Sequence, residues 1–374
     1  MKDALTSEEW FQVLITSIRL IEQAGVPYTV EGNAALVIQG VPIREPERRT
    51  IQISVQWDAM ERVHQLFQNY GASDLDSSLR QASFHFSIDH VTCCVLCRFG
   101  TVIRTDPDCL MIRSGGYSLA VKSFDFYLRE LETEDLVRLA IKQFLHDLQT
   151  SAADQNGKAW NNEAYQAWVQ RFGTPDQAAE KIRRDPEGRL GELAEYLGDI
   201  RGKKIINLLG SHGEKALAMT LLGAQVTVVD ISEENAEYAR KTAAALNVSL
   251  HYIVSDVLAL PDKERTADYD FVLMELGVLH YFVDLEPLAQ LVCQLLKSGG
   301  RLVLREFHPV STKLVTTKGK KQIVFGNYFD KTLKTRQVAF SKHLLPDDAE
   351  PLKVYLREWT LGKSLPVLPN QGFG

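Results

Sequence analysis

Residues 203–232, KKIINLLGSHGEKALAMTLLGAQVTVVDIS, place two short apolar runs around a turn with two glycines, and the second run closes on an aspartate. The turn is Gly210-Ser211-His212-Gly213 and the acid is Asp230. Glycines at a strand end let a ligand approach the backbone closely, and the helix behind presents free N–H groups. An acid at the end of the next strand, about 20 residues on, can accept hydrogen bonds from ribose hydroxyls. The layout suits a cofactor built on adenosine.

Two cofactor chemistries compete for it. A dinucleotide site prefers G-x-G-x-x-G, whose three glycines make room for a pyrophosphate. This chain has G-x-x-G followed by Glu214, and a carboxylate beside a pyrophosphate is electrostatically poor. It is harmless beside S-adenosylmethionine, which carries a sulfonium and no phosphate. Further on, YIVSDVLALP sets Asp256 at the end of a third strand, where it can accept from an adenine amino group. Ile231 and Val257 follow the two acids and join Gly210, Ser211, His212, Gly213 and Glu275 in the expected cofactor-binding set. His212 is expected to pack over the cofactor.

Methyl transfer from a sulfonium is an in-line displacement with a good leaving group, so proximity and orientation are the main demand on the protein. A general base helps when the acceptor is a hydroxyl or a protonated amine. MELGVLHYF offers Glu275, His280 and Tyr281, and REFHP offers Glu306 and His308. Histidine titrates closest to neutrality, which makes His280 and His308 the candidate bases and Glu275 an orienting group. In the competing reading His280 caps the following helix and His308 braces the loop before Pro309. Tyr165 and Trp168 could close over the methionine moiety, or pack as core. The aromatic and basic NYFDKTLKTRQVAFSKHL is expected to cap a substrate pocket.

The elements that position these residues alternate. KKIINLLG, QVTVVD, SLHYIVS, YDFVLMEL and GRLVLREF read as strands, with EKALAMTLLG, SEENAEYARKTAAALN and LEPLAQLVCQLLK as helices between them. Such alternation implies a parallel sheet covered on both faces. In order and spacing, the glycine turn, Asp230, Asp256, Asp270 to Glu275 and LLKSGGRLVL resemble the class I S-adenosylmethionine-dependent methyltransferases. The resemblance implies an α/β, Rossmann-like sheet and S-adenosylmethionine as cofactor. It departs at Asn207, where that family often has an acid; an amide there can still hydrogen-bond the cofactor's amino group or an ordered water, which keeps Asn207 in the expected cofactor-binding set. It departs again at the end of the chain, where SLPVLPNQGFG follows KVYLREWTLGK. Thr360 is placed there as an N-cap. Pro366 and Pro369 exclude a regular helix, so the expectation is a sheet lacking its last helix and antiparallel strands, through truncation or a frame change. The fifth strand would then be an exposed edge, inviting homo-oligomers and lowering activity.

The first 150 residues have a different order, α+β. YTVEGNAALVIQGVPIREPERRTIQISVQW resembles the nucleotidyltransferase fold, with Gly32 and Asn33 at its turn. The resemblance puts two metal-holding acids at Gln52 and Ser54, and a third on VTCCVLC; none of these is a carboxylate, so no nucleotidyl transfer is expected. The expected organisation is a non-catalytic domain over 1–150, a linker and helical lead-in over 151–202, with TSAADQNGKAWNN as the linker, and the methyltransferase over 203–374.

At 374 residues and a net charge of −6 the chain has no broad basic excess, so neither nucleic acid nor a membrane surface is expected as a partner. No apolar run approaches a membrane span and the N-terminus has no signal core, which points to the cytoplasm, as do five cysteines read as reduced thiols. Cys94 and Cys97 form a CxxC whose side chains point to opposite faces of a strand, unsuited to metal or disulfide. The expected partner is a small-molecule methyl acceptor. The rival reading is a sensor that binds S-adenosylmethionine without turnover.

Overall fold

The computed structural model describes residues 7–43, 50–344 and 352–362. The chain divides into two compact units, Met1–Leu145 and His146–Gly374.

The first unit runs α1 (Ser7–Gln23), β1 (Tyr28–Glu31), α2 (Gly32–Ile38), β2 (Thr50–Val55), α3 (Met60–Leu66), β3 (Asp76–Ser77), β4 (Gln81–Ile88), β5 (Val91–Arg98), β6 (Cys109–Ser114), β7 (Tyr117–Lys122) and α4 (Phe124–Glu130). Its seven strands form one mixed sheet in the order β3-β4-β5-β2-β1-β7-β6. The hairpin expected from SFHFSI and VTCCVLCRF is the antiparallel pair β4–β5. Gly32 turns the chain into α2 at φ +63, and a Cβ there would lie 2.3 Å from Gln52 Oε1. Gln52 pairs with Cys94 across the parallel strands β2 and β5. Beside this turn the buried Glu31 accepts a two-pronged hydrogen bond from Arg98, both contacts at 2.9 Å.

The long helix α5 (Leu136–Trp160) carries the division between the units. The polar stretch expected as a linker is therefore helical as far as Trp160. Its small residues are a packing face: Ala152, Asn156 and Ala159 recur at helical spacing and are all buried. A Cβ on Gly157 would come within 3.3 Å of Ile231.

The second unit continues through α6 (Ala164–Phe172), α7 (Pro175–Arg184), α8 (Pro186–Leu190) and α9 (Leu193–Leu197). It then alternates β8 (Lys204–Leu208), α10 (Glu214–Leu221), β9 (Gln225–Asp230), α11 (Glu233–Leu246), β10 (His251–Val254), β11 (Tyr269–Glu275), α12 (Glu286–Leu295) and β12 (Leu296–Arg305). The five strands are all parallel and lie in the order β10-β9-β8-β11-β12. This is the α/β, Rossmann-like sheet expected from the alternation. Strand order reverses beside β8, so the crevice opens over the carboxyl ends of β8 and β11.

Burial on both faces explains the near-continuous apolar strands. Ile205, Val226, Val228, Phe271 and Leu273 pack with α10, α11 and the lead-in helices, whereas Ile206, Leu208, Val229, Val272 and Met274 pack with α12. Helix α11 starts where Ser232 Oγ accepts from Asn235 N–H and stops at Asn247 in the left-handed region, φ 58.

After β12 come α13 (Pro309–Lys313), β13 (Val315–Lys318), β14 (Lys321–Val324), β15 (Leu333–Gln337) and β16 (Lys353–Arg357). They form two separate antiparallel pairs, so among the described residues the main sheet ends at β12. KVYLR, which leads up to the Thr360 placed as an N-cap, is strand β16. The proline-containing residues 363–374 lie outside the described residues. Strand β12 is less exposed in its apolar part than expected for a bare edge: Val303 is buried and Leu302 and Leu304 are half-buried. Among the described residues no helix is long and apolar enough to cross a membrane.

Candidate functional site

The turn after β8 is built from unusual backbone. Leu209 and Ser211 have φ of 51 and 50, and Gly213 has φ 76. Its fixed point is Asp230. Asp230 Oδ2 accepts from Ser211 N–H at 2.9 Å, and Oδ1 accepts from Ser232 N–H and the Asn235 side-chain amide, both at 3.0 Å. Burial pushes the Asp230 carboxyl up, and hydrogen bonds from Asn235, Ser232, Ser211 and Ile231 oppose that. With four donors already on it, the roughly four acceptor sites of the carboxylate are engaged by the protein, and a ligand hydroxyl would share an oxygen with one of these bonds.

Gly210 is required by packing. A Cβ there would lie 2.6 Å from Val228 Cγ1 and 2.9 Å from Asn207 Oδ1. Asn207 is buried beneath the turn, donating to Leu273 O at 3.3 Å, and ties β8 to β11. Neither residue lines the cavity described next. Gly213 starts α10 below the turn and is not in the lining either.

Over the strand ends lies a cavity of about 380 Å³. Ser211, Asp230, Ile231, Asp256, Val257, Glu275 and His280, all named from the sequence, line it together. Asp256 Oδ1 accepts from Leu258 N–H at 3.1 Å, and burial raises its carboxyl. Glu275 accepts from Arg305 at 3.3 Å.

Strand β11 ends in the same strained way as β8: Leu276 has φ 52 and Gly277 φ 77. A non-glycine residue in this region costs roughly 1–2 kcal/mol, which the surroundings must offset. Glu306 supplies much of that offset. Its carboxylate accepts backbone N–H bonds from Gly277 at 2.6 Å and from Val278 and Leu279 at 2.9 Å. It also accepts from Phe307 N–H at 2.7 Å. Glu306 is thus the anchor of the loop that carries His280. The His280 imidazole is held down to about 4, chiefly by burial and then by Arg336, with Glu306 and Glu358 acting in the other direction.

His280 and Phe307 also line a second, larger cavity of about 770 Å³, and so form the partition between the two. The second cavity has Leu279, Leu304, Leu356 and Trp359 among its walls, with His308, Arg336 and Glu358 as polar groups. His308 belongs to this cavity alone; its Nδ1 accepts from Val310 N–H at 3.2 Å and caps the start of α13.

His212 is placed elsewhere. It lies between Trp168 and Phe172, ring centroids 4.6 Å from each, and burial drives its imidazole down to about 3. Trp168 donates to Asn235 Oδ1 at 2.7 Å, and Tyr165 packs on Tyr238. This aromatic group locks α6 onto α11, so the core alternative describes the pair and the turn histidine alike.

The sequence reading missed one wall of the first cavity. Gln149, Ala153, Asn156 and Trp160 of α5 line it, spaced for one helical face. Gln149 accepts from Val283 N–H at 2.7 Å, Asn156 accepts from Tyr355 N–H at 2.7 Å, and Trp160 donates to Tyr281 Oη at 3.2 Å. Their spacing was the available signal, obscured by small and polar neighbours. Ala339 and Lys342 supply another part of the wall, from the segment expected as a cap. No group of three or more metal-ligating side chains occurs among the described residues.

Residues 209–304 match the family described as a methyltransferase domain. A ubiquinone biosynthesis O-methyltransferase of Bordetella pertussis is 26% identical over 152 residues, covering 41% of this chain and 62% of that protein. A demethylmenaquinone methyltransferase of Thermus thermophilus is 30% identical over 133 residues, covering 35% of this chain and 56% of its own length. The chain thus spans less than two thirds of these relatives. A solved structure of a putative S-adenosylmethionine-dependent methyltransferase from Listeria monocytogenes is 21% identical, covering 48% of this chain and 81% of that one, with a TM-score of 0.38.

Proposed function

We propose that this chain, whose C-terminal unit carries an S-adenosylmethionine-dependent methyltransferase domain, methylates a small-molecule acceptor held in the larger cavity, across the partition made by His280 and Phe307. The observation that carries the reading is the set of side chains in the smaller cavity. Among the described residues Asp230, Asp256 and Glu275 face it against one lining cation, Lys342. An acidic lining suits a sulfonium and opposes a diphosphate. In this reading Asp230 accepts from ribose hydroxyls, Asp256 from the adenine amino group, and Ser211 and Glu275 hold the amino-acid end. Ile231 and Val257 supply apolar walls. When bound, the cofactor supplies an electrophilic methyl group with a good leaving group.

The chain's own residues then orient the acceptor. His280 is neutral at pH 7 because its imidazole titrates near 4. It can accept a hydrogen bond from an acceptor hydroxyl. Complete proton transfer from a phenol of pKa about 10 would cost about 8 kcal/mol, so the proton moves onto His280 only as the methyl is transferred. Hydroxyl methylation is favoured because the relatives above include O-methyltransferases. His308 and Arg336 in the larger cavity orient the rest of the acceptor. In this reading the N-terminal unit carries out no metal-dependent transfer, since the resemblance to the nucleotidyltransferase fold would need carboxylates at Gln52 and Ser54.

The test is incubation of the full chain with methyl-labelled S-adenosylmethionine and a small-molecule extract. Label in a low-mass product supports the reading. Cofactor binding with no labelled product would favour the sensor instead.

A further inference from the structure

The hairpin β13–β14 is oddly composed for a surface in water. All four residues of β14 are exposed, with Val324 at 78%, and Phe325 directly after it is exposed at 63%. At the tip, Lys318 and Lys321 stand directly opposite each other, and Lys320 lies in the two-residue turn between them. Like charges directly opposite across a hairpin repel, and an isolated two-stranded hairpin is marginal at best in water. The tip carries three lysines, Lys318, Lys320 and Lys321, with no acid between positions 318 and 329, whereas further on Lys334 pairs with Asp330 and Glu358 and Arg336 with Glu358. The whole chain carries −6, so this tip opposes the sign of the rest. That overall charge was the ground for expecting no membrane partner, and it conceals the local reversal.

We propose that this hairpin docks the protein on an anionic lipid bilayer, its lysine tip on the headgroups and its exposed apolar side chains at the acyl boundary. Two facts select the bilayer over other occupants. Beside Phe325 the exposed Ile323 and Val324 are aliphatic; they offer nothing to stack on nucleic-acid bases, but they gain by leaving water. The lysine tip would repel the same tip on a second copy, while an anionic surface relieves the Lys318–Lys321 repulsion. The hairpin is also continuous with the larger cavity, since Val315, Thr316 and Phe325 belong to that cavity's wall. If that cavity holds the acceptor, as the methyl-transfer reading has it, an apolar acceptor could pass between bilayer and site. Docking itself does not depend on that reading.

The experiment is flotation of the full chain with vesicles of phosphatidylcholine alone and of phosphatidylcholine mixed with phosphatidylglycerol, at low and high salt. Binding is expected to the mixed vesicles and to weaken with salt. The triple variant Lys318→Gln, Lys320→Gln, Lys321→Gln should lose about a hundredfold in partitioning, at about fivefold per lysine removed from an anionic surface. Val324→Asn should weaken binding with its charges intact. Both variants should keep the parent melting temperature and S-adenosylmethionine affinity, which separates docking from the cofactor reading. Absence of binding to the mixed vesicles overturns the proposal, as does undiminished binding by the triple variant. Displacement from vesicles by duplex DNA would transfer the surface to nucleic acid, and tip-dependent dimers in sedimentation would transfer it to a second copy.

Discussion

The backbone N–H of Ser211 donates to Asp230 Oδ2 at 2.9 Å, joining the turn after β8 to the end of β9. One carboxylate therefore sets the shape of the turn and faces the cavity. Asp230→Ala is expected to do two things. It leaves the N–H groups of Ser211 and Ser232 and the Asn235 amide without their acceptor, lowering stability by about 2–4 kcal/mol. It also weakens S-adenosylmethionine binding by about 1–3 kcal/mol. Thermal melting and a cofactor titration on the same preparation check both; an unchanged melting temperature would mean the turn does not depend on this residue.

Glu306 accepts four backbone N–H bonds and touches no expected cofactor group. Glu306→Ala should release the loop at 277–279 from its strained conformation and cost about 2–4 kcal/mol. Activity should fall with it because His280 loses its position. Glu306→Gln, which keeps one acceptor oxygen, should recover part of the stability. Full activity in the alanine variant would refute the anchoring role.

Gly210→Ala separates two explanations of one glycine. Its Cβ would meet Val228 and Asn207, not cofactor space. The expected result is a loss of about 1–3 kcal/mol in stability from overpacking, with cofactor affinity in the surviving folded protein little changed. Adding Val228→Ala should return some of the lost stability. No rescue, with affinity abolished, would return the glycine to a ligand-clearance role.

Stability should fall on acidification. An unfolded imidazole titrates near 6.5, whereas His280 is held at about 4 and His212 at about 3. Between these values the unfolded chain binds more protons, so stability is highest above about pH 6.5 and declines as the pH drops towards 4 and then 3. The His280 share is about 3 kcal/mol. His280→Asn should flatten the pH dependence of the melting temperature over that window. An identical slope in the variant would show that the imidazole is not buried as described.

The parallel sheet was legible because its strands are near-continuous apolar runs and its helices carry their own stops, as Ser232 and Asn247 do for α11. The cavity-lining acids were legible for a related reason: each stands at the end of such a run. His212 was misplaced because a residue in a glycine turn can face either side, and the choice depends on Trp168 and Phe172, some 40 positions earlier in the chain. The α5 wall was missed because Gln149, Ala153, Asn156 and Trp160 stand among small and polar residues with the composition of a linker. Val324 and Phe325 resemble core residues by type, and their exposure comes from the separate pairing of β13 with β14.

Calorimetric titration of the full chain with S-adenosylmethionine tests the central claim most directly. The acidic cavity over β8, β9 and β11 predicts saturable binding at one site per chain, competed by the demethylated product and weakened in Asp230→Ala. No heat of binding from the folded protein, or equal binding by the Asp230→Ala variant, would contradict it.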